Sequence, residues 1–282
     1  MDELFFDIQH LTHSYQDGTI ALNELSLSIK KGKKIALLGN NGAGKSTLFQ
    51  HLNGILQPTS GEIYFKGERM EYGRKSLLQL REQVGIVFQD PDSQLFSGTV
   101  KQDISFGPIN LGWSKEKVVE QVDWAMQETE VIALQQKPIH FLSLGQKKRV
   151  AIAGVLAMNP DVLILDEPSA GLDAYYSKQI MSLLNTIHKP HKTIILSTHD
   201  VHFAYEWADE IIVMSDGQIL YHGDPVSVFK QPNLLSKAHL EKPWVFETAE
   251  QLLQNGMLAI DVPFPRNREQ LFQQFKADIT VK

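Results

Sequence analysis

Eight consecutive residues, Gly39-Asn40-Asn41-Gly42-Ala43-Gly44-Lys45-Ser46, satisfy the pattern G-x-x-x-x-G-K-[ST]. Such a run supports the binding of a nucleotide's phosphates. Its glycines let backbone N–H groups turn inward around phosphate oxygens. A helix starting at its end adds unpaired donors and the positive end of the helix dipole. Lys45 is expected to reach the β- and γ-phosphates, and Ser46 to bind Mg²⁺. The run follows the apolar Ile35–Leu38 and precedes a helical pattern over Thr47–Asn53, the strand–loop–helix context the motif demands. The bland alternative, a glycine-rich turn without a ligand, is weakened by that context.

A second cluster ends another apolar run. Val162–Leu165 is followed by Asp166 and Glu167. Ligands of open α/β sheets sit at strand ends, so Asp166 is expected to hold Mg²⁺, directly or through water. Glu167 is the candidate general base that orients an attacking water. Taken alone, two acids more often just close a strand. His199, after Thr193–Ser197, reaches the same sheet edge, where it can bond a γ-phosphate. Gln89, after Val84–Phe88, can touch Mg²⁺ or the water. Neither assignment stands without the first two motifs.

These residues need a scaffold. Ile35–Leu38, Val84–Phe88, Val162–Leu165 and Thr193–Ser197 are short apolar runs separated by helical patterns, which predicts a buried parallel sheet in an α/β core. Ile211–Met214, Asp216-Gly217 and Gln218–Tyr221 predict a hairpin. Leu4–Ile29 reads as short strands, in which Leu25, Leu27 and Ile29 alternate with Ser26 and Ser28. With Gly61–Phe65 and the Lys66-Gly67 turn they form an antiparallel edge region. From Gln89 to Pro160 the pattern is helical, clearest at Lys115–Thr129, and predicts an inserted helical subdomain. After about Phe229, Pro232, Pro243, Pro263 and Pro265 break the tail, leaving helices near Val245–Gln254 and Arg268–Phe275.

Composition narrows the class. The chain has 282 residues, 43% of them apolar, enough for a sizeable core. A net charge of −6 argues against a general nucleic-acid binder. With no cysteine, disulfides and thiolate metal sites are excluded. No apolar run approaches the roughly 20 residues of a membrane span, and the start, Met1–Asp7, is acidic without a signal-peptide pattern. The expected location is therefore the cytosol. The histidine pairs His188/His191 and His10/His13 do not suggest convergence on a metal; Pro190 interrupts the first pair.

The set of motifs resembles the ATP-binding-cassette (ABC) ATPases over about residues 4–230. Leu142-Ser143-Leu144-Gly145-Gln146 is similar to their signature motif and Ser169-Ala170-Gly171-Leu172-Asp173 to their D-loop. Gln89, His199 and Tyr15 fall where the Q-loop, switch histidine and adenine-stacking aromatic are expected. The resemblance implies a P-loop ATPase core, a mostly parallel sheet with flanking helices, carrying the antiparallel β edge, the helical insertion (about 90–160) and a small C-terminal extension (233–282). It implies ATP held by Tyr15, Gly39, Asn40, Asn41, Gly42, Ala43, Gly44, Lys45, Ser46 and Thr47. Mg²⁺ would be held by Ser46, Gln89 and Asp166, with Glu167, His199 and Gln89 catalytic. It implies a head-to-tail dimer, of two copies or with a related chain. There Ser143, Leu144, Gly145 and Gln146 act on the partner's ATP and Asp173 belongs to the D-loop. Leu144 stands where the family usually has glycine. Its side chain either points away harmlessly, the favoured case, or loosens that half-site.

Val87–Phe96 resembles the Q-loop segment of energy-coupling-factor (ECF) ATPases, and Asp103–Gly112 and Gly145–Met158 resemble their cobalt/nickel branch. This implies a peripheral subunit at the cytoplasmic face of the membrane. Its partners would be a transmembrane coupling protein and a substrate-capturing membrane protein, with no nucleic acid. Leu95-Phe96, taken as an exposed pair, suits docking of a partner helix; packing of both inside the helical subdomain is equally open. Vitamin import, a soluble ABC protein and a regulator without turnover are the competing functions. A single cassette without long insertions disfavours the soluble proteins, and the intact Lys45, Asp166 and Glu167 disfavour the regulator. The tail, with Trp244 and Phe246, is expected to pack or to support the dimer.

Overall fold

The computed structural model describes residues 3–258 and 262–279, with side chains described as far as residue 274. The first two residues of the acidic start and the last three of the extension lie outside the described residues.

Two sheets form the frame. The smaller is antiparallel, in the order β2-β1-β4-β5, with β1 Leu4–Ser14, β2 Ile20–Lys30, β4 Ser60–Phe65 and β5 Glu68–Arg69. The larger has the order β10-β9-β3-β8-β7-β6, with β3 Lys34–Leu38, β6 Val84–Val87, β7 Val162–Leu165, β8 Thr193–Ser197, β9 Glu210–Ser215 and β10 Gln218–Gly223. The pairings β9–β3, β3–β8, β8–β7 and β7–β6 are parallel, and β10 closes the edge as an antiparallel hairpin with β9. The expected parallel core and hairpin are thus present. The predicted short strands of the edge region are instead two strands of eleven residues each, with irregular register. Bulges let such strands bend and stay paired. Leu25, Leu27 and Ile29 are buried, as their alternation with exposed serines requires.

The larger sheet is covered on both faces, so its inner strands are mostly apolar. Ile35, Leu37, Val162, Ile164, Ile195 and Ile212 face the smaller sheet, and helix α1 (Lys45–Leu52) inserts Leu48, Phe49 and Leu52 into that same layer. The alternate residues Ala36, Leu38, Leu163, Leu165, Ile194 and Leu196 face the remaining helical core. That layer includes α3 (Val100–Asn110), α4 (Lys115–Glu128), α5 (Leu144–Leu156), α6 (Ala174–Ile187) and α7 (Val201–Trp207). The last helix of that series follows β8; α2 (Arg74–Gln83) precedes β6.

Two expectations need correction. Pro232 does not break the tail; it starts a helix, α9 (Pro232–Ala238), following α8 (Pro225–Phe229). Proline is well placed at a first helical position, where its missing N–H would have had no partner. Leu95 and Phe96 are not an exposed pair: Leu95 is buried and Phe96 is 65% exposed. The N–H groups of Phe96 and Ser97 donate to the carboxylate of Asp103 at 3.0 and 2.8 Å, a local turn that sends the two side chains opposite ways. The extension continues as α10 (Trp244–Gln254) and α11 (Arg268–Ile279), burying Val245, Phe246, Leu258 and Leu271 in the same helical core that covers the larger sheet.

Candidate nucleotide site

The phosphate loop leaves β3 and enters α1 through three glycines with positive φ. The requirement is steric at two of them. A Cβ on Gly39 would meet Met214 O at 2.5 Å, and one on Gly44 would meet Ala21 O at 2.6 Å. The β9–β10 hairpin also props the loop, since Gly217 N–H donates to Ala43 O at 3.2 Å. Lys45 is buried and its Nζ donates to Gly39 O at 2.5 Å and Asn40 O at 3.1 Å, so the ammonium is folded over the loop's rim. Burial lowers its pKa, and the nearby charges of Glu167 and Asp166 act the other way. Those opposing influences place the lysine and the two acids in one electrostatic site.

The acids are held by the sheet. Asp166 and Glu167 follow β7 and are both buried. Ser197, the last residue of the neighbouring β8, binds both: its Oγ donates to Asp166 Oδ1 at 2.5 Å and accepts from Glu167 N–H at 2.8 Å. Glu167 adopts φ 46°, an unusual conformation for a residue with a side chain. Its carbonyl accepts from Lys148 Nζ at 3.1 Å, a lysine of α5 buried in the core. Its carboxylate accepts from His199 Nδ1 at 2.8 Å. A proton therefore sits on Nδ1, and the outward Nε2 is free to face a ligand. Burial lowers the pKa of Lys148, with Glu167, Asp90 and Asp166 opposing it.

Lys45, Asp166, Glu167 and His199 thus converge. Ser197 and Lys148 join them, though neither carries a motif of its own. Ser197 is a small hydroxyl residue closing a strand whose centre, Ile194, Ile195 and Leu196, is apolar. Lys148 is the one member of Lys147-Lys148-Arg149 that is buried. Gln89 is exposed and makes no hydrogen bond among the described residues. Ser46, Asp166 and Gln89 offer a cation oxygen donors only, a chemistry that would suit Mg²⁺. Asp166 uses one carboxylate oxygen for Ser197, which leaves the other for a cation.

Tyr15 lies beside α1. Its hydroxyl is 3.0 Å from Thr47 Oγ1, and its ring is 41% exposed, leaving a surface on which a base can stack. The edge of His13 backs it at 4.9 Å between centroids, and His51 of α1 lies 4.6 Å from His13. His51 Nδ1 donates to Thr47 O at 2.7 Å, while its Nε2 and both nitrogens of His13 are buried without partners. Burial, reinforced by His13 and opposed by the Thr47 bond, lowers the His51 pKa to about 4. The unfolded chain binds this proton near the ordinary value of 6.5. Stability is therefore full above about pH 6.5 and falls as pH drops toward about 4, by at most about 3 kcal/mol from this group. His51→Leu should flatten urea-unfolding stability across that window; slopes identical to the parent would show that another group titrates.

The signature residues stand apart. Ser143 caps α5 reciprocally with Gln146: Gln146 N–H donates to Ser143 Oγ and Ser143 N–H to Gln146 Oε1. Gly145 is buried against Tyr176, and Leu144 is 40% exposed. A Cβ on Gly171 would lie 3.1 Å from Leu144 Cδ2, so this leucine rests on the chain's own D-loop. Asp173 caps α6 by accepting from Tyr176 N–H at 2.9 Å. Among the described residues no hydrogen bond joins Ser143–Gln146 to the phosphate loop. His188 Nε2 donates to Gly32 O at 3.2 Å, a structural role. Among the described residues no group of three or more His, Cys, Asp or Glu could hold a metal ion.

Comparison with known proteins places the chain in a family. A family model described as "ABC transporter" covers residues 22–170. The energy-coupling factor transporter ATP-binding protein EcfA of Methanocaldococcus jannaschii is 48% identical over 258 residues, 92% of each chain. A putative ABC transporter ATP-binding protein of Methanosarcina mazei is 48% identical over 254 residues; the match takes in 90% of this chain and 56% of that longer protein. Among solved structures, cbiO1 from Clostridium perfringens, described as part of the ABC transporter complex cbiONQ, aligns with a TM-score of 0.75 and 44% identity. It covers 90% of this chain and all of that one.

Proposed function

We propose, on the premise that this chain belongs to the ABC transporter family and is an ATPase of the energy-coupling-factor type, that it drives uptake of cobalt or nickel ions. The observation that carries the ATPase mechanism is the Glu167–His199 contact beside Lys45 and Asp166. The phosphate loop binds the β- and γ-phosphates, and Tyr15 stacks on the adenine. Ser46, Asp166 and Gln89 would hold Mg²⁺, which would offset the negative charge of the phosphates. Glu167 orients and deprotonates the attacking water, and His199 faces the γ-phosphate through its free nitrogen.

The site is half of a composite. Ser143, Leu144, Gly145 and Gln146 open helix α5, and such a helix start favours a γ-phosphate held by a second ATPase subunit. Asp173 and the D-loop support that dimer contact. We take residues 4–232 as the ATPase domain and 233–282 as its extension. Because Leu144 leans on Gly171 rather than standing free, Leu144→Gly should change ATP turnover by less than about tenfold, an effect of under about 1.4 kcal/mol. A larger gain in steady-state hydrolysis would mean that the leucine impairs the half-site.

No described helix is long and apolar enough to cross a membrane, so membrane work passes through partners. Phe96 and Phe106, exposed and in edge-to-face contact at 4.6 Å, rim a cavity reaching Leu95, Asn53, Arg81 and Met158. This surface suits a helix of a transmembrane coupling protein, which would in turn contact a substrate-capturing membrane protein. The likeness to cbiO1 supports the metal cargo. Reconstitution with the membrane partners and uptake of labelled Co²⁺, Ni²⁺ and vitamins tests it. Vitamin uptake without metal uptake would replace the cargo and leave the motor assignment intact.

A further inference from the structure

The extension is fastened to one helix in particular. α7 begins two residues after His199, and Asp200 caps its start, with Oδ1 accepting from His202 and Phe203 N–H groups at 3.0 Å each. The far end of any helix leaves carbonyls that no helical N–H reaches. Here Arg266 supplies the donors: Nε to Tyr205 O and Nη2 to Ala208 O, both at 2.6 Å. A planar guanidinium can span two carbonyls at once, which an ammonium on a flexible stem does less well. A cation also suits the negative end of the helix. The guanidinium lies over the Tyr205 ring at 5.2 Å, and the Tyr205 hydroxyl donates to Pro265 O at 2.9 Å.

A second contact lies at the other end. Trp244 N–H, at the start of α10, donates to His202 Nδ1 at 3.2 Å. Between them Phe246 packs edge-on against Tyr205 and stacks on Phe264. The extension therefore holds α7 at its first and last turns. A helix of seven residues has little stability of its own and takes its position from such contacts. The His199 side chain is 73% exposed, so packing does not fix it; its place is set by the helix it leads into and by Glu167.

We propose that Arg266 is a positioning residue for ATP hydrolysis: by holding the C-terminal carbonyls of α7 it sets His199 against Glu167, so the extension controls turnover within its own chain. The inference rests on the roles given above to His199 and Glu167. It differs from a dimer contact, because every bond involved lies inside one subunit.

The test is a double-mutant cycle in the full chain with Arg266→Ala, His199→Ala and the pair, read as steady-state hydrolysis. Single-turnover release of labelled phosphate keeps the slow variants measurable. Arg266→Ala should lower kcat about five- to tenfold and leave the KM for ATP within about twofold, since the phosphate loop and Tyr15 pack on the opposite side of the sheet. Arg266→Lys should fall between, and serves in the same cycle if Arg266→Ala does not fold. In the His199→Ala background, loss of Arg266 should cost no further activity. Equal losses in both backgrounds, or parental kcat in Arg266→Ala, overturn the proposal while leaving His199 in place. Parental activity in His199→Ala overturns the role of His199 and the proposal with it.

Discussion

Glu167→Gln is expected to bind ATP as the parent does and to hydrolyse it about 10²- to 10⁴-fold more slowly, the usual contribution of a positioned general base. The substitution is close to isosteric. The amide oxygen of glutamine can still accept from His199 Nδ1, and the backbone bonds to Ser197 and Lys148 do not involve the side chain. What disappears is the capacity to take a proton from water. The loss should therefore appear in turnover rather than in nucleotide affinity or thermal stability. If dimer closure follows ATP binding, the variant should also accumulate as an ATP-bound dimer, visible by size-exclusion chromatography with labelled nucleotide. Unchanged turnover would remove Glu167 from the mechanism.

Lys45→Ala should weaken ATP binding about 100-fold, corresponding to the loss of about 3 kcal/mol from charge-assisted bonds to phosphate. The ammonium is buried, close to Asp166 and Glu167, and bridges two carbonyls of the loop. Its removal takes away the phosphate donor and leaves two acids whose repulsion of the nucleotide is no longer balanced. Titration calorimetry with ATP reads the effect directly. An affinity within about threefold of the parent would show that the loop's N–H groups alone bind the phosphates. The two variants should separate cleanly, one failing in chemistry and the other in binding.

What was legible in the sequence was local. The phosphate loop could be read because a contiguous motif lay between a strand and a helix, and Asp166-Glu167 because they end a strand. Ser197 was not legible, because its role arises only when β8 lies beside β7 and brings one hydroxyl to two acids. Lys148 was hidden in a basic run whose other two members form surface ion pairs with Asp92 and Glu130. Leu95 and Phe96 have the same apolar character, and their different burial goes with a turn bonded to the Asp103 carboxylate, which apolar character alone does not reveal. Pro232 reads as a stop signal in isolation, yet proline is equally suited to a helix start, where the structure has it. Arg266 gave no periodic signal at all; its partners are main-chain carbonyls some 60 residues earlier in the chain.

The aromatic rim formed by Phe96 and Phe106, continued along α3 by the exposed Ile109, has a consequence for the cell's economy of subunits. If the proposed membrane partner covers this rim, a copy that has not met it carries the apolar surface into water, where chaperones and proteases recognise such patches and where copies stick to one another. Its lifetime would then depend on the abundance of the protein that covers the rim. Synthesis in excess would not yield more active complexes, only faster clearance, and assembly would act as a check on stoichiometry.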